Sequence, residues 1–532
     1  MSHRLLTPLS LALAMTFAEP ALARDEPHAH GAPHAVSGIH FPVTCSPAAQ
    51  QQFDQAMTLQ HSFWYQAAGE GFRKTRQADA DCVMASWGEA LTLLLNPFTP
   101  PTEANLQRGQ ALLAEAQRIG AKSDREAGLI QALATVFATT DRPGHVARLR
   151  QYAGAMEALH NRFPQDAEVA IQYGLALVIS ASPNDKTYAN QLRAAAILDR
   201  EFTRQPQHPG VAHYLIHTYD VPALAPRGLD AASRYADLAP DAPHALHMPS
   251  HIFTRVGAWQ RSASTNARSA EVARRNREID DELHAVDYMA YAYLQMAQDD
   301  TARQVMEQLA QTDTSRVARN AGFYTLAAVP ARWVLERGDW AAAAQLQPQP
   351  SSFSYTTAMS HFARAIGLAR SGRPAEAAAD ISVLREIAAG LTGRDPYWAD
   401  QVEIQRMVAE GWSSVAAGQQ EGGLALLRQA SEREAKSEKH PVTPGWLAPA
   451  RELYAEALLE AGQPAAALAE FEQVLTTEPN RFRAEAGAGR AAAAAGDAEV
   501  ARRHYARLLE IAAQAQSARP ELVVARQYLA QR

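Results

Sequence analysis

The sequence predicts an all-α protein built from repeated helices. From Gln50 to the end of the chain, apolar residues recur at helical spacing, Gly and Pro interrupt the pattern, and no run of alternating β-branched residues predicts a strand. Turn glycines also recur at one distance: Gly338 and Gly372 are 34 residues apart, and so are Gly462 and Gly496. A fixed period of this length is typical of helix pairs that bury their apolar faces only by stacking on their neighbours.

The segment from Arg451 to Asn480 resembles a tetratricopeptide repeat (TPR). Small residues, a turn glycine, an aromatic residue and a proline occur in the order that this family uses, at Ala455, Gly462, Ala467, Phe471 and Pro479. The resemblance implies a TPR-like superhelix, an α-solenoid, whose concave groove would bind a protein or peptide partner.

Composition and punctuation divide the chain into four predicted parts. Residues 1–23 are predicted to be a signal peptide and residues 24–44 a flexible, His-rich lead. Residues 45–300 are predicted to form an irregular TPR-like domain that carries the histidines, and residues 301–532 a more regular TPR array. The folded part of the protein is therefore expected to begin near residue 45.

The first residues have the pattern of a secretory signal. His3 and Arg4 precede an apolar stretch from Leu5 to Phe17, and the small residues around Ala23 suit a signal peptidase. The apolar stretch is too short to cross a bilayer, and no later segment is long and apolar enough to do so. We expect cleavage after Ala23, no membrane span, and export to the periplasm of a Gram-negative bacterium.

Cys45 and Cys82 are the only two cysteines of the chain. An even number of cysteines in an exported chain favours one disulfide bond. Ligation of a soft metal ion by the two thiolates is the alternative.

Charge and motif content exclude several function classes. The net charge is −7 and no run of Lys or Arg forms a basic stripe, so we expect no nucleic-acid partner. The signatures HExxH, GxSxG and GxxxxGK[ST] do not occur, so no catalytic residue is assigned and no nucleotide cofactor is expected. Gly487 and Gly489 lie in a GAGAGR segment without a preceding strand, and they are predicted to serve helix packing.

Two blocks of histidines carry the chemical signal of the sequence. The first contains His213 and His217, with Asp220 close behind, and the second contains His244, His247 and His251. Residues three, four or seven positions apart share one face of a helix, so each block can present its side chains as one stripe. Pro249 interrupts the second block, which predicts either a kinked helix or a helix that begins near this proline.

Neutral imidazoles at this spacing predict a metal site. Two histidines one helical turn apart can bind one ion, and two such pairs from neighbouring helices supply four ligands. We therefore predict that His213, His217, His247 and His251 converge on one copper or zinc ion. Asp220 is predicted to be a fifth ligand or a hydrogen-bond acceptor that orients an imidazole.

Further candidates for the site are less sharply defined by the sequence. His244 is an additional ligand candidate, and His61 lies in an aromatic-rich stretch at the start of the folded region. His284 and Asp287 share one helix face, so they are candidates for a histidine–carboxylate pair that orients a ligand or acts as a base.

Three functions remain open from the sequence. The first is an exported protein that binds copper or zinc for metal handling, and the second is an interaction scaffold with structural histidines. The third is a metal-dependent hydrolase or oxidase with an open coordination position. The segment HMPSHIF, residues 247–253, resembles one found in a group of exported bacterial TPR-like proteins, to which we attach no activity.

Overall fold

The computed structural model describes residues 38–142, 144–349 and 351–531, and every regular element in these ranges is a helix. The predicted signal peptide and residues 24–37 of the predicted lead lie outside the described residues. None of the described helices is both long and apolar enough to cross a membrane.

The helices follow one another along the chain with short connections. The α-helices are α1 (Pro47–His61), α2 (Tyr65–Ala78), α3 (Val83–Thr92), α4 (Glu103–Ile119), α5 (Asp124–Val136), α6 (His145–Arg162), α7 (Ala167–Ile179), α8 (Ala189–Arg204), α9 (Pro209–Tyr219), α10 (Leu229–Leu238), α11 (Pro243–His247), α12 (Pro249–Arg255), α13 (Trp259–Asn276), α14 (Ile279–Gln295), α15 (Asp299–Ala310), α16 (Asn320–Leu335), α17 (Trp340–Ala343), α18 (Ser354–Arg370), α19 (Ala378–Leu391), α20 (Pro396–Ala416), α21 (Gln420–Glu434), α22 (Ala450–Glu460), α23 (Pro464–Thr477), α24 (Phe482–Ala495), α25 (Ala498–Ile511) and α26 (Pro520–Ala530). Short 3₁₀ helices span Ala225–Gly228, Thr314–Arg316 and Pro374–Ala377.

Most helices pack against the next helix in the chain, as a helical repeat requires. The four glycines whose spacing predicts the repeat, Gly338, Gly372, Gly462 and Gly496, all lie in turns at φ between +63° and +82°. This left-handed conformation costs a residue with a side chain more than it costs glycine, which explains why glycine ends the first helix of each pair. The all-α, TPR-like helical-repeat class predicted from the sequence is confirmed.

Glycines inside the helices allow close crossings. A Cβ atom added to Gly487 would lie 2.3 Å from the ring of Phe471, and one added to Gly489 would lie 2.7 Å from the ring of Tyr505. Because these distances are shorter than van der Waals contact, the two glycines serve packing, as the sequence predicts.

Replacing Gly487 by alanine is expected to destabilise the protein by about 1–3 kcal/mol, because the added methyl group overpacks the crossing with Phe471. Urea unfolding followed by circular dichroism measures this loss. Gly390→Ala is the matched control, since nothing lies within 4 Å of a Cβ atom at that helical position. Equal unfolding midpoints for both variants would contradict the packing argument.

The start of the described chain is attached to the first helices. Cys45 and Cys82 form a disulfide bond that closes a sequence separation of 37 residues. Phe41 is fully buried and packs against Trp87, with ring centroids 5.7 Å apart, and Ile39 is also buried. Residues 39–44 of the predicted flexible lead are therefore part of the folded structure, because Phe41 fills an apolar site between α1 and α3.

The last helices contact the middle of the chain. The Arg519 guanidinium forms a buried ion pair with Asp299, and the backbone N–H of Gln516 donates to the Ala297 carbonyl at 3.1 Å. The predicted boundary near Thr301 stays a prediction, but the residues that follow it contact those that precede it. The last helices therefore contact the turn between α14 and α15.

Candidate metal centre

The first histidine block lies on α9, whose residues are buried along its whole length. Pro209 begins this helix, and the side chain of His208 caps it by accepting a hydrogen bond from the Val211 N–H at 3.3 Å. His213 and His217 follow one turn apart, with ring centroids separated by 4.9 Å. Both imidazoles therefore face the same neighbouring elements.

Pro249 divides the second block between two short helices. Because proline has no N–H, the helix is interrupted there, and the His251 N–H donates to the Met248 carbonyl at 3.1 Å. His247 ends α11 and His251 lies in α12, yet their Nε2 atoms are only 3.0 Å apart. A new helix therefore begins at Pro249, which is one of the two expectations. His244 and His247 lie in a short helix of their own just before it.

The two blocks meet, and the four predicted ligands His213, His217, His247 and His251 all lie in this region; that they bind one ion stays a prediction. The Nε2 atoms of His213 and His244 are 3.2 Å apart, and the rings of His217 and His251 are 5.8 Å apart. The ligand atoms divide into two groups, each lying within 4.8 Å of one another. We call His213, His217 and His244 the first triad, and His247, His251 and His284 the second triad; together they are the histidine cluster.

Hydrogen bonds fix which nitrogen of three imidazoles faces the cluster. His213 Nδ1 donates to the His61 carbonyl at 2.7 Å, and His247 Nδ1 donates to Asn266 Oδ1 at 2.7 Å. The Asn266 amide is itself oriented, because its Nδ2 donates to the Ser262 carbonyl at 2.7 Å. With the proton on Nδ1, the Nε2 atoms of His213 and His247 carry lone pairs that point into their triads.

Asp220 orients the third of these imidazoles. His251 Nδ1 donates to Asp220 Oδ2 at 2.8 Å, while Arg255 Nε donates to Oδ1 at 2.8 Å and Lys439 Nζ lies 3.5 Å from Oδ2. Burial opposes ionisation of Asp220, but the charges of Lys439 and Arg255 outweigh it and hold the pKa of this carboxyl well below its usual value. Of the two roles predicted for Asp220, the structure shows that of an acceptor that fixes an imidazole.

The second triad brings two lone pairs together. His247 and His251 both carry their proton on Nδ1, so the facing Nε2 atoms, 3.0 Å apart, have no hydrogen between them. Protonation could relieve the repulsion, but burial lowers the pKa of both imidazoles, strongly so for His247. Two nitrogens bound about 2.0–2.1 Å from one ion lie about 2.9 Å apart at 90° and about 3.3 Å apart in a tetrahedron, so a metal ion fits this geometry.

The remaining imidazoles carry unpaired atoms. His217 Nε2 and His284 Nδ1 are buried and have no hydrogen-bond partner among the described residues. A buried polar atom without a partner costs about 1–3 kcal/mol, so a ligand for these atoms would remove a penalty. Burial also lowers the pKa of His213 to about 3, which keeps that imidazole in the neutral form that metals bind.

His61 lies outside the histidine cluster, although its carbonyl orients His213. Its ring forms a separate buried group in which Glu168 accepts from His208 Nε2 at 2.9 Å and lies 3.3 Å from His61 Nε2. Burial opposes ionisation of Glu168, but the hydrogen bond from His208 and the nearby His61 ring hold the pKa of this carboxyl below its usual value. His61 Nε2 and Glu168 Oε2 have no hydrogen-bond partner among the described residues, so these three residues are a further group that could hold an ion, although they lack the facing imidazole nitrogens of the cluster.

The predicted pair of His284 and Asp287 is not formed. Asp287 is fully buried and accepts a hydrogen bond from Arg332 Nε at 3.0 Å, whereas His284 belongs to the second triad. The two residues are neighbours on α14, but the first faces α11 and the second faces α16. His284 is therefore a candidate ligand, and Asp287 is a structural counter-charge.

A segment from the last quarter of the chain lies against the cluster. We call residues 437–446 the covering segment; the Tyr288 hydroxyl lies 3.0 Å from both the Pro441 and Thr443 carbonyls and 3.5 Å from His251 Nε2. The hydroxyl therefore donates to the covering segment. Lys439 of this segment reaches Asp220, the residue that orients His251.

Asn266 and Lys439 were not predicted from the sequence. No spacing relates them to the histidine blocks, and Lys439 is 219 residues away from its partner Asp220. The sequence also did not predict that His208 and Glu168 belong to a buried group. A histidine before a proline and a glutamate in the first turn of a helix are ordinary patterns at helix starts.

Replacing Asp220 by asparagine is expected to weaken metal binding in the second triad about 10–100-fold, because the imidazole of His251 loses the charged acceptor that orients it. Competition with a chromophoric chelator measures the affinity. Asp230→Asn is the control, since Asp230 is exposed and, among the described residues, pairs with Arg234 alone. Unchanged affinity in the Asp220 variant, with its helical spectrum intact, would rule out the orienting role.

The fold and the site together define an all-α, TPR-like helical-repeat protein with buried histidine groups that could hold metal ions. No protein-family model and no curated protein matches the chain. It is similar to the human IFIT1 dimer with PPP-AAAA, at 14% identity and a TM-score of 0.38, over 81% of this chain and 91% of that chain. It is also similar to a monomeric IFIT1 mutant with Gppp-AAAA, at 13% identity and a TM-score of 0.39, over 81% and 90%. Similarity at this level carries no argument about function.

Proposed function

We propose that the protein is an exported metal-binding protein that holds two transition-metal ions, one in each triad of the histidine cluster. The observation that carries this proposal is the pair of unprotonated Nε2 atoms of His247 and His251, which face each other at 3.0 Å in a buried site. A cation between them turns repulsion into two coordinate bonds. As an interaction scaffold, the protein would leave this repulsion uncompensated.

The ligand set favours copper, with zinc as the competing ion. Each triad consists of neutral imidazoles without a thiolate or carboxylate among the ligands. Imidazole suits both ions, and the Irving–Williams order places copper(II) above zinc where the compartment does not control the supply. We propose metal handling in the periplasm as the role, because export is predicted from the amino-terminal sequence.

Element analysis of protein purified without a His-tag tests the proposal. We expect two ions per chain in the wild type after dialysis against copper or zinc, and none in the double variant His217→Ala/His251→Ala, which loses one ligand from each triad. The control is His361→Ala, because His361 pairs with Asp380 on helices α18 and α19 and belongs to neither triad.

Competition between the two ions at equal concentration then identifies the metal. Copper in both triads supports the assignment above, and zinc in both triads corrects it. Wild-type protein that binds no more metal than the double variant, with both helical spectra unchanged, would overturn the proposed function.

A further inference from the structure

We infer that the two metal ions form one dinuclear centre that binds a single small ligand of two or three atoms between them. This inference rests on the proposed function. The ligand class is a small anion with a donor atom at each end, such as a linear triatomic anion.

The cavity beside the cluster supplies the first argument. Its wall includes two imidazoles of the first triad, His217 and His244, and two of the second, His251 and His284. A molecule in this cavity therefore faces both triads at once. A cavity that served only one ion would be lined by one triad.

The distances between the triads supply the second argument. The rings of His217 and His251 are 5.8 Å apart and those of His244 and His247 are 6.1 Å apart, only slightly more than the 5.0 Å between His247 and His251 within one triad. Ions held by such closely spaced rings lie near one another. Two-metal sites in enzymes hold their ions about 3.5–4 Å apart, a distance that one small ligand spans.

Each ion would have an open coordination position and an uncompensated positive charge, and both favour a further ligand. Each triad provides three protein ligands, and three ligands leave the fourth position of a tetrahedral ion open. Because the imidazoles are neutral, they do not balance the charge of the ions. Asp280 and Asp281 also line the cavity, but they pair with Arg319, so an anion is favoured in the open positions.

The size of the cavity limits the ligand. Its volume is about 50 Å³, enough for a few water-sized groups. The Phe63 ring packs over the first triad, with its centroid 4.3 Å from that of His213 and 5.5 Å from that of His244. Phe63 adopts φ of +53°, which is an unfavourable backbone conformation for a residue with a side chain. The fold therefore holds this ring in place in spite of local backbone strain.

Azide titration of the copper(II)-loaded protein tests the inference, because azide is a linear triatomic anion with a donor at each end. We expect one azide per two copper ions, and a loss of the copper(II) electron paramagnetic resonance signal when the bridge couples the two spins. His244→Ala and His284→Ala each remove one ligand from one triad, so each variant should keep one copper ion, and its signal should persist in the presence of azide.

A cavity variant separates ligand access from metal binding. Ala321 lines the cavity and belongs to neither triad, so Ala321→Phe should keep two copper ions per chain and weaken azide binding at least tenfold. Ala321→Ser is the matched control with azide affinity close to that of the wild type.

The metal content distinguishes the two possible failures. Fewer than two copper ions per wild-type chain would overturn the proposed function. Three results with two copper ions per chain would overturn the dinuclear inference alone. They are one azide on each copper ion, no bound azide, and azide binding by Ala321→Phe that is as tight as that by Ala321→Ser.

Discussion

Removing the metal is expected to lower the free energy of unfolding by about 4 kcal/mol for each ion, when the free metal exceeds its dissociation constant about a thousandfold. The reason is that the histidine cluster is preassembled. His213, His247 and His251 are held by hydrogen bonds to His61, Asn266 and Asp220, so their lone pairs cannot turn away from one another when the ion leaves.

Urea unfolding with metal and with a chelator measures this difference, with the slope of the transition expected to stay constant because the same surface is exposed. The double variant His217→Ala/His251→Ala is the control, and its two unfolding curves should coincide. Coincident curves for the wild type, at a metal concentration that saturates it, would contradict the stabilisation.

Replacing Arg332 by methionine is expected to destabilise the protein by about 3–5 kcal/mol, because it leaves the buried carboxylate of Asp287 without its counter-charge. Arg332 is itself fully buried, and it also donates to Thr443 Oγ1 at 2.7 Å and to the Gly445 carbonyl at 3.1 Å. The variant therefore also loses bonds that hold the covering segment.

A pH series and a second variant identify the mechanism. Burial already raises the pKa of Asp287, so the deficit of Arg332→Met should shrink as the pH falls and this carboxyl takes up a proton. The double variant Arg332→Met/Asp287→Asn should recover part of the lost stability. Arg303→Met, a surface control whose side chain pairs with Asp300 and Glu307, should unfold like the wild type. A deficit that is the same at every pH would contradict the charge argument.

Sequence reasoning succeeds here where the physical cause is local. The spacing of Gly462 and Gly496 predicts turns that the structure has, because the left-handed backbone at each of them favours glycine. In the same way, the spacing of His213 and His217 places them on one face of a helix, since that depends only on the helical period.

The division into two triads depends on packing between elements and could not be predicted. Spacing says which residues share a face, but it does not say which helix lies opposite. His244 of α11 reaches His213 of α9 with 3.2 Å between their Nε2 atoms, and His284 joins His247 because α14 packs against α11. The ion pair of Asp287 likewise depends on Arg332, which is 45 residues away on another helix.

The covering segment gives the assembly of the site an order in time. All six imidazoles lie between residues 213 and 284, whereas Pro441 lies 153 residues after its hydrogen-bond partner Tyr288. Pairing over so long a separation forms late, because the intervening chain must first be brought together. We therefore expect the six imidazoles to be gathered before residues 437–446 close this side of the cluster, so that an ion bound there would be enclosed last.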